Sequence, residues 1–221
     1  SEFLFENTKI KANIFGQENL DYIALALQIA KDMGIQLSQK EYIFTLENQP
    51  GRFNILEWIK WNILIDSTYN AAPASMVKMI ENTFALQKNL FSDYKVFLVI
   101  GDMRELWEIS AGKHLELNDT VIHADGIYCI GTEISPLYQA LEVQEFEWEK
   151  NIFKKSNIAW ESLKKFLEKT DEKYIILFKW SQNTIFTEEV LKAVLQNKSD
   201  EKNLVRQSQD WIEKKEKFFR S

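Results

Sequence analysis

An α/β domain built on a mostly parallel, Rossmann-like sheet is predicted by three observations. Strand and helix signals alternate from residue 63 to residue 196, the pattern of a sheet with helices laid on both faces. Val96 to Ile100 and Tyr174 to Phe178 run without a charged interruption, as strands covered on both sides must. Pro73 opens a long amphipathic stretch at the helical position where a missing N–H costs nothing.

Taken in order, residues 3–15 read as one or two strands. Residues 19–33 read as a helix with Ile23, Leu27 and Ala30 on one face, stopped by Gly34 as a C-cap. Residues 36–49 are polar and read as a linker, so a first segment of 1–49 is expected to precede a domain of 50–221. In that domain the apolar runs Phe53 to Ile59 and Ile63 to Ile65 flank Lys60, Trp61 and Asn62, which reads as a hairpin. Strands are then expected at 63–67, 95–100, 126–131 and 174–179. Helices are expected at 73–90, 110–123, 135–141, 156–169 and 187–196, with a further one at the end of the chain.

Composition limits the function classes. At 221 residues, 45% hydrophobic and 27% charged, the chain is long enough for one good core and a small appendage. A net charge of −6 argues against nucleic acid as a partner. No apolar run approaches the roughly 20 residues of a membrane span and no signal peptide opens the chain, so no membrane insertion is expected. The single cysteine, Cys129, excludes an internal disulfide and fits a reducing cytoplasm. Its apolar surroundings predict a buried, inert thiol. A chain that begins with Ser1 is expected to be a fragment or a trimmed piece.

Most of the chemistry lies between Pro50 and Met76. A strand ending in Asp66, a loop with Tyr69 and Asn70, and the helix start at Pro73 form the kind of junction where α/β folds place ligand groups, because strand carboxyl ends and helix N-termini converge there.

The order Gly51-Arg52, hairpin, Asp66-x-x-Tyr69-Asn70-x-x-Pro73-x-Ser75-Met76 resembles the junction of the central and C-terminal domains of the Mur ligases. Three more segments stand in that family's order: Gly101-Asp102-Met103-Arg104-Glu105-Leu106, Ile176-Leu177-Phe178-Lys179-x-Ser181, and Leu204-Val205-Arg206-Gln207 followed by Trp211. The similarity is greatest to the branch that adds D-alanyl-D-alanine to a UDP-N-acetylmuramoyl tripeptide. It implies that residues 1–49 are the end of a central ATP-binding domain with its linker and that 50–221 are the C-terminal domain. It also implies ATP and Mg2+ as cofactors, the tripeptide and the dipeptide as partners, and a monomer. By the same resemblance Asn19, Arg52, Asp66, Tyr69 and Asn70 bind the nucleotide, and Lys179 and Ser181 meet the dipeptide carboxylate or the acyl phosphate. Lys179 is the candidate catalytic group. The sequence keeps Gly16 and Asn19 of the family's adenine motif but has Glu18 and Tyr22 where a histidine and a second asparagine are expected.

No Gly-x-x-x-x-Gly-Lys-[Ser/Thr] loop occurs. In the family that loop, the magnesium ligands and a modified lysine lie in the central domain, upstream of residue 1, so this chain alone is expected not to turn over. The alternatives are another ligase of the same superfamily, including folylpolyglutamate synthases, and a non-catalytic nucleotide- or partner-binding module.

Each residue has a plainer role to set beside the chemical one. Asp66 is also suited to capping a turn, Arg52 to an exposed flank of the hairpin, and Lys179 to a solvated strand end. Asp102 and Glu105 suit helix caps. His114 and His123 lack acidic or sulfur partners at ligand spacing, which favours surface or core roles over a metal site. The run Lys214-Lys215-Glu216-Lys217 reads as the solvated face of the last helix.

Glycine and tryptophan each occur seven times, where ordinary glycine usage of about 7% predicts roughly fifteen glycines. Trp61 stands in the hairpin turn, Trp107 closes the Gly101 segment, Trp180 separates Lys179 from Ser181, and Trp160 enters a helix. All four are places where glycine is expected, and Trp58 is a fifth candidate. Trp180 is expected to crowd a loop that must approach a ligand. One explanation is a gene in which UGA encodes glycine; ordinary divergence is the other.

Overall fold

The structure is a computed structural model that describes residues 1–14, 16–46, 49–57, 61–181 and 185–220. It divides into two compact units, Ser1–Asn48 and Gln49–Ser221.

In the first unit β1 (Glu2–Phe5) runs antiparallel to β2 (Thr8–Ala12), and β3 (Glu41–Phe44) lies parallel on the other edge of β2. Helix α1 (Gln17–Asp32) makes the crossover between β2 and β3. It ends at Gly34, whose φ of +86° is open to glycine without strain and whose N–H donates to the Lys31 carbonyl at 2.8 Å. Strand β3 lies inside the stretch expected to be linker. Four residues carry too little alternation to be read, and this strand exists because β2 offers it a ladder of backbone partners, Ile10 opposite Tyr42 among them.

The second unit is a six-stranded sheet. Its strands are β4 (Asn54–Glu57), β5 (Ile63–Ser67), β6 (Lys95–Gly101), β7 (Gly126–Ile130), β8 (Glu149–Phe153) and β9 (Tyr174–Lys179). Their order is β4-β5-β9-β6-β7-β8, with β4 antiparallel to β5 and every other pair parallel. The expected α/β class with a mostly parallel sheet is therefore the observed one.

Alternation across the central strands divides the core. Phe97, Val99, Tyr128, Ile130, Ile176 and Phe178 pack with α6 (Ser156–Lys169) and α7 (Glu188–Ala193) through Ala159, Leu163, Leu167, Val190 and Leu191. Val96, Leu98, Ile100, Ile127, Cys129, Ile175 and Leu177 are equally buried. Helix α2 (Pro73–Leu90) packs against β6 and β9 and buries Met76, Ile80, Thr83 and Leu86, one face at helical spacing. The order places β5 beside β9, so the ends of these two strands open at the same edge.

Several readings of this unit need correction. The helix expected over 110–123 is two short ones, α3 (Ser110–Leu115) and α4 (Asn118–Val121), led in by a 3₁₀ turn at Trp107–Ile109. The break falls at Glu116 and Leu117, where the Leu117 N–H turns to the His114 carbonyl three residues back, a tightening that periodicity alone does not show. Strand β8 was not foreseen, because an edge strand reading Glu-Lys-Asn-Ile-Phe is only half buried throughout. Helix α5 (Ser135–Val143) runs slightly past its expected end.

The last helix, α8 (Gln209–Arg220), is present, but Lys215 is not on a solvated face: it is 4% exposed. Cys129 is fully buried, and burial pushes its thiol up, away from reactivity. His114 is a core histidine that accepts the Met103 N–H at Nε2 (2.8 Å) and donates from Nδ1 to the Ser110 carbonyl (2.8 Å). The indole of Trp180, expected to crowd the loop, is turned into the core at 1% exposure, though its N–H has no partner among the described residues. Trp160 lies within α6 and packs partly buried against the same cluster, so the helix does not ask for glycine there. Trp58 lies outside the described residues.

Candidate functional site

The site candidates of the second unit meet where β5 and β9 end. Asp66, at the end of β5, is fully buried, with each carboxylate oxygen engaged. Oδ1 accepts the Thr68 N–H (3.1 Å) and hydroxyl (2.6 Å), and Oδ2 accepts the Gly51 N–H (3.1 Å). Burial raises its pKa above the ordinary value, while these donors and the Arg206 charge pull it back. In this arrangement the carboxylate faces its own loop and not solvent, and it clamps the residue before the hairpin to the loop after it.

Gly51 is indispensable to that clamp. Its φ is +71°, the Tyr69 N–H donates to its carbonyl at 3.2 Å, and a Cβ on it would stand 2.6 Å from the Tyr69 nitrogen. Tyr69 is thereby held flat beneath Arg52, whose guanidinium carbon lies 4.1 Å from the ring centroid. Both side chains are exposed.

Lys179 ends β9 beside this loop and is 3% exposed. Its ammonium donates to the Asn70 carbonyl at 2.9 Å and lies 3.5 Å from the Ser67 hydroxyl. Among the described residues no carboxylate pairs with it. Burial first, and the Arg52 charge second, push its pKa down from 10.5 to about 8. Ser181 donates from its hydroxyl to Asn70 Oδ1 at 3.2 Å, and its N–H donates to the Asp102 carbonyl at 3.1 Å, so the end of β9 is tied to both neighbouring loops. Asp102 in turn accepts the Ile134 N–H (3.0 Å) and the Thr132 N–H (3.3 Å), holding the turn after β7.

Arg52, Asp66, Tyr69, Asn70, Lys179 and Ser181 thus form one connected array, while Asn19 lies on α1 in the first unit. Arg206 belongs to the array although its role was not foreseen. It donates to the Thr68 carbonyl at 3.2 Å and to the Tyr69 carbonyl at 3.0 Å. Beside it lies a cavity of about 390 Å³, lined by Pro50, Tyr69, Leu204, Val205, Arg206 and Trp211. That is within the usual range for small-molecule sites. The array offers an exposed guanidinium, a buried ammonium and aromatic faces, a set suited to anionic and planar ligands. Among the described residues no group of three or more His, Cys, Asp or Glu is arranged to hold a metal ion. No helix of the described residues is long and apolar enough to cross a membrane.

Solved structures share this architecture. MurF from Acinetobacter baumannii matches with a TM-score of 0.69 at 22% identity, over 86% of this chain and 40% of that one. MurF ligase from Thermotoga maritima, in complex with ADP, matches with a TM-score of 0.63 at 24% identity, over 87% of this chain and 44% of that one. The chain has the Mur ligase fold. UDP-N-acetylmuramate-alanine ligase MurC from Thermotoga maritima matches with a TM-score of 0.60 at 14% identity, over 83% of this chain and 39% of that one. The chain therefore spans about two-fifths of the length of these Mur ligases. No protein-family model and no curated protein matches its sequence.

Proposed function

We propose that this chain is the C-terminal part of a Mur ligase of the MurF type, an ATP-dependent amide ligase that joins D-alanyl-D-alanine to a UDP-N-acetylmuramoyl tripeptide in the cytoplasm. The observation that carries the reading is the array of Arg52, Tyr69, Asn70, Lys179 and Ser181 at the carboxyl ends of β5 and β9, on a fold shared with a MurF that is in complex with ADP.

In such a reaction ATP supplies the phosphoryl group that activates the tripeptide carboxylate, and an amine then displaces phosphate. Negative charge gathers at the reacting carbon's oxygens, so catalysis depends on fixed cationic donors in a dry cleft. Arg52 is the exposed cation for a nucleotide phosphate, with Tyr69 stacked beneath it to hold its plane. Lys179 keeps most of its charge at neutral pH, with its Nζ held at the Asn70 carbonyl and donor capacity left for an oxyanion or a dipeptide carboxylate. Ser181, bonded to Asn70 Oδ1, stands beside it. Asp66 acts on the nucleotide through the loop it clamps, not as an open ligand to the ribose. We assign Asn19 to the nucleotide side, and ATP is taken to carry magnesium. We take the working enzyme to be a monomer.

The test is an assay of ADP release and amide formation with ATP, UDP-linked tripeptide and D-alanyl-D-alanine. The complete gene product that contains this chain should form product. The 221-residue chain alone should form none above background, because it lacks a phosphate-cradling loop. Turnover by the chain alone, or inactivity of the complete product with every Mur substrate set, would sink the proposal.

A further inference from the structure

The end of the chain reaches back to the site through a buried network of four charges. Glu188, at the start of α7, is fully buried. Its Oε2 lies 3.3 Å from an Arg206 nitrogen and its Oε1 lies 3.0 Å from Lys215 Nζ. Lys215 also pairs with Glu189 at 2.7 Å. Two acids and two bases balance here, which is the condition for burying Glu188 and Lys215, while Glu189 is partly exposed and also lies 3.9 Å from Lys192. Arg206 spends both terminal nitrogens on the carbonyls of Thr68 and Tyr69. Its own backbone takes a φ of +57°, left-handed and strained for arginine, so the chain accepts strain to bring this guanidinium here.

We propose that Arg206, backed by Glu188 and Lys215, is a positioning residue of the site: it fixes the Thr68–Tyr69 backbone so that the Tyr69 ring meets Arg52 and the Asn70 carbonyl meets Lys179. The consequence for a ligand rests on the ligase reading; the effect on the loop does not. A flat, forked donor spans two adjacent carbonyls, whereas a lysine supplies one point of charge.

Amide hydrogen exchange in the 221-residue chain tests the loop directly. With Arg206→Gln, exchange at residues 69–71 should quicken at least tenfold, the scale of a lost charged hydrogen bond, while β6 and β7 keep their protection. Arg206→Lys should recover thermal stability but not the loop's protection. Unchanged exchange at 69–71, or acceleration of all amides together, overturns the proposal. In the complete gene product the same Arg206→Gln should raise the KM for ATP about tenfold and leave kcat within a few-fold, the signature of uniformly weakened binding. A fall in kcat with KM unchanged also overturns it. If the unsubstituted complete product is inactive, the ligase reading fails, and the exchange result still decides for or against Arg206.

A second inference stands on backbone geometry elsewhere. Trp61 and Trp107 take φ values of +70° and +45°, and both side chains lie in solvent at 80% and 84% exposure. Phe53 and Phe186 are also left-handed, but they are 6% and 7% exposed, and packing offsets their strain. Three glutamates, Glu6, Glu105 and Glu145, share the conformation with a carboxylate that water solvates readily. An exposed indole has neither compensation. Together with seven glycines in 221 residues, where about fifteen are ordinary, these turns ask for glycine.

We infer that positions 61 and 107 are glycine in the protein as its own cell makes it, encoded by UGA codons read as glycine, which a one-base change in a glycine tRNA anticodon allows. The codons and the intact mass of the protein isolated from its source cells decide the matter. UGA at both positions with the lower, glycine mass is expected; UGG at either overturns the inference. Independently, Trp61→Gly with Trp107→Gly should raise the Tm of the chain by roughly 3–8 °C. An unchanged or lower Tm removes the physical basis.

Discussion

Asp66→Ala should lower the stability of this chain by about 4 kcal/mol, a fall in Tm of roughly 8–16 °C. The substitution strands three buried donors at once: the Gly51 N–H, the Thr68 N–H and the Thr68 hydroxyl. At about 1–3 kcal/mol for each unsatisfied group the loss could be larger, but the carboxylate itself is poorly solvated, and removing it returns part of the sum. That its pKa stays above the ordinary value says which way the balance of burial and donors falls. The sign on pH follows. A carboxyl with a raised folded-state pKa holds its proton more tightly folded than unfolded, so its contribution is complete below about pH 4 and declines as pH rises through the folded value. Asp66→Asn should flatten that decline. It should also cost less than alanine, because the amide oxygen still serves Thr68 while its NH2 opposes the Gly51 N–H. Urea unfolding of the three forms at pH 4 and pH 7 measures all of this, and an alanine variant within 1 kcal/mol of the parent would reduce Asp66 to an incidental turn residue.

Lys179→Met should change the slope of stability against pH between about 8 and 10.5. Here the unfolded lysine binds a proton that the folded one has already released, so Lys179 makes the chain gain stability as pH rises through that window. The full span is worth on the order of 3 kcal/mol, reduced if the buried ammonium draws in water. Tyr128 and Tyr174, both with pKa values raised chiefly by burial, act in the opposite sense in alkali, so only the difference between parent and variant isolates the lysine. Methionine keeps most of the stem's packing and removes the charge. Equal pH slopes for the two forms would show that the ammonium is solvated. At pH 7 the variant should be the more stable protein. If the proposed ligase reading holds, the complete gene product carrying the variant should also be the slower enzyme, since on that reading the charged form that costs folding energy is the form that meets an anion.

Much of the fold was legible because the physics that sets it is local. The apolar runs of β6 and β9 lie where a parallel sheet needs them, and α2 begins at Pro73 and ends at Leu90, as its periodicity and the N1 proline require. What escaped was held by partners distant in sequence. β3 and β8 are edge strands whose residues carry no strong pattern, and each is a strand because one neighbour offers it a ladder. Lys215 looked like one lysine in a solvated run. It is buried because Glu188 and Glu189, more than twenty residues away, face it.

The amino-acid order by itself determined that Asp66 stands at the end of a buried strand with Tyr69 and Asn70 after it, and that Lys179 ends another with Ser181 after it, because burial periodicity and strand ends are written in a few neighbouring residues. Only the tertiary structure decided that the two strands are neighbours. The order β5-β9-β6 laid the Lys179 ammonium on the Asn70 carbonyl, turned Asp66 inward to hold its own loop, and brought Arg206 back to fasten that loop. The side chains are a matter of sequence. Their partners are set by the packing of segments more than a hundred residues apart, where only the whole sheet has the free energy to bring them together.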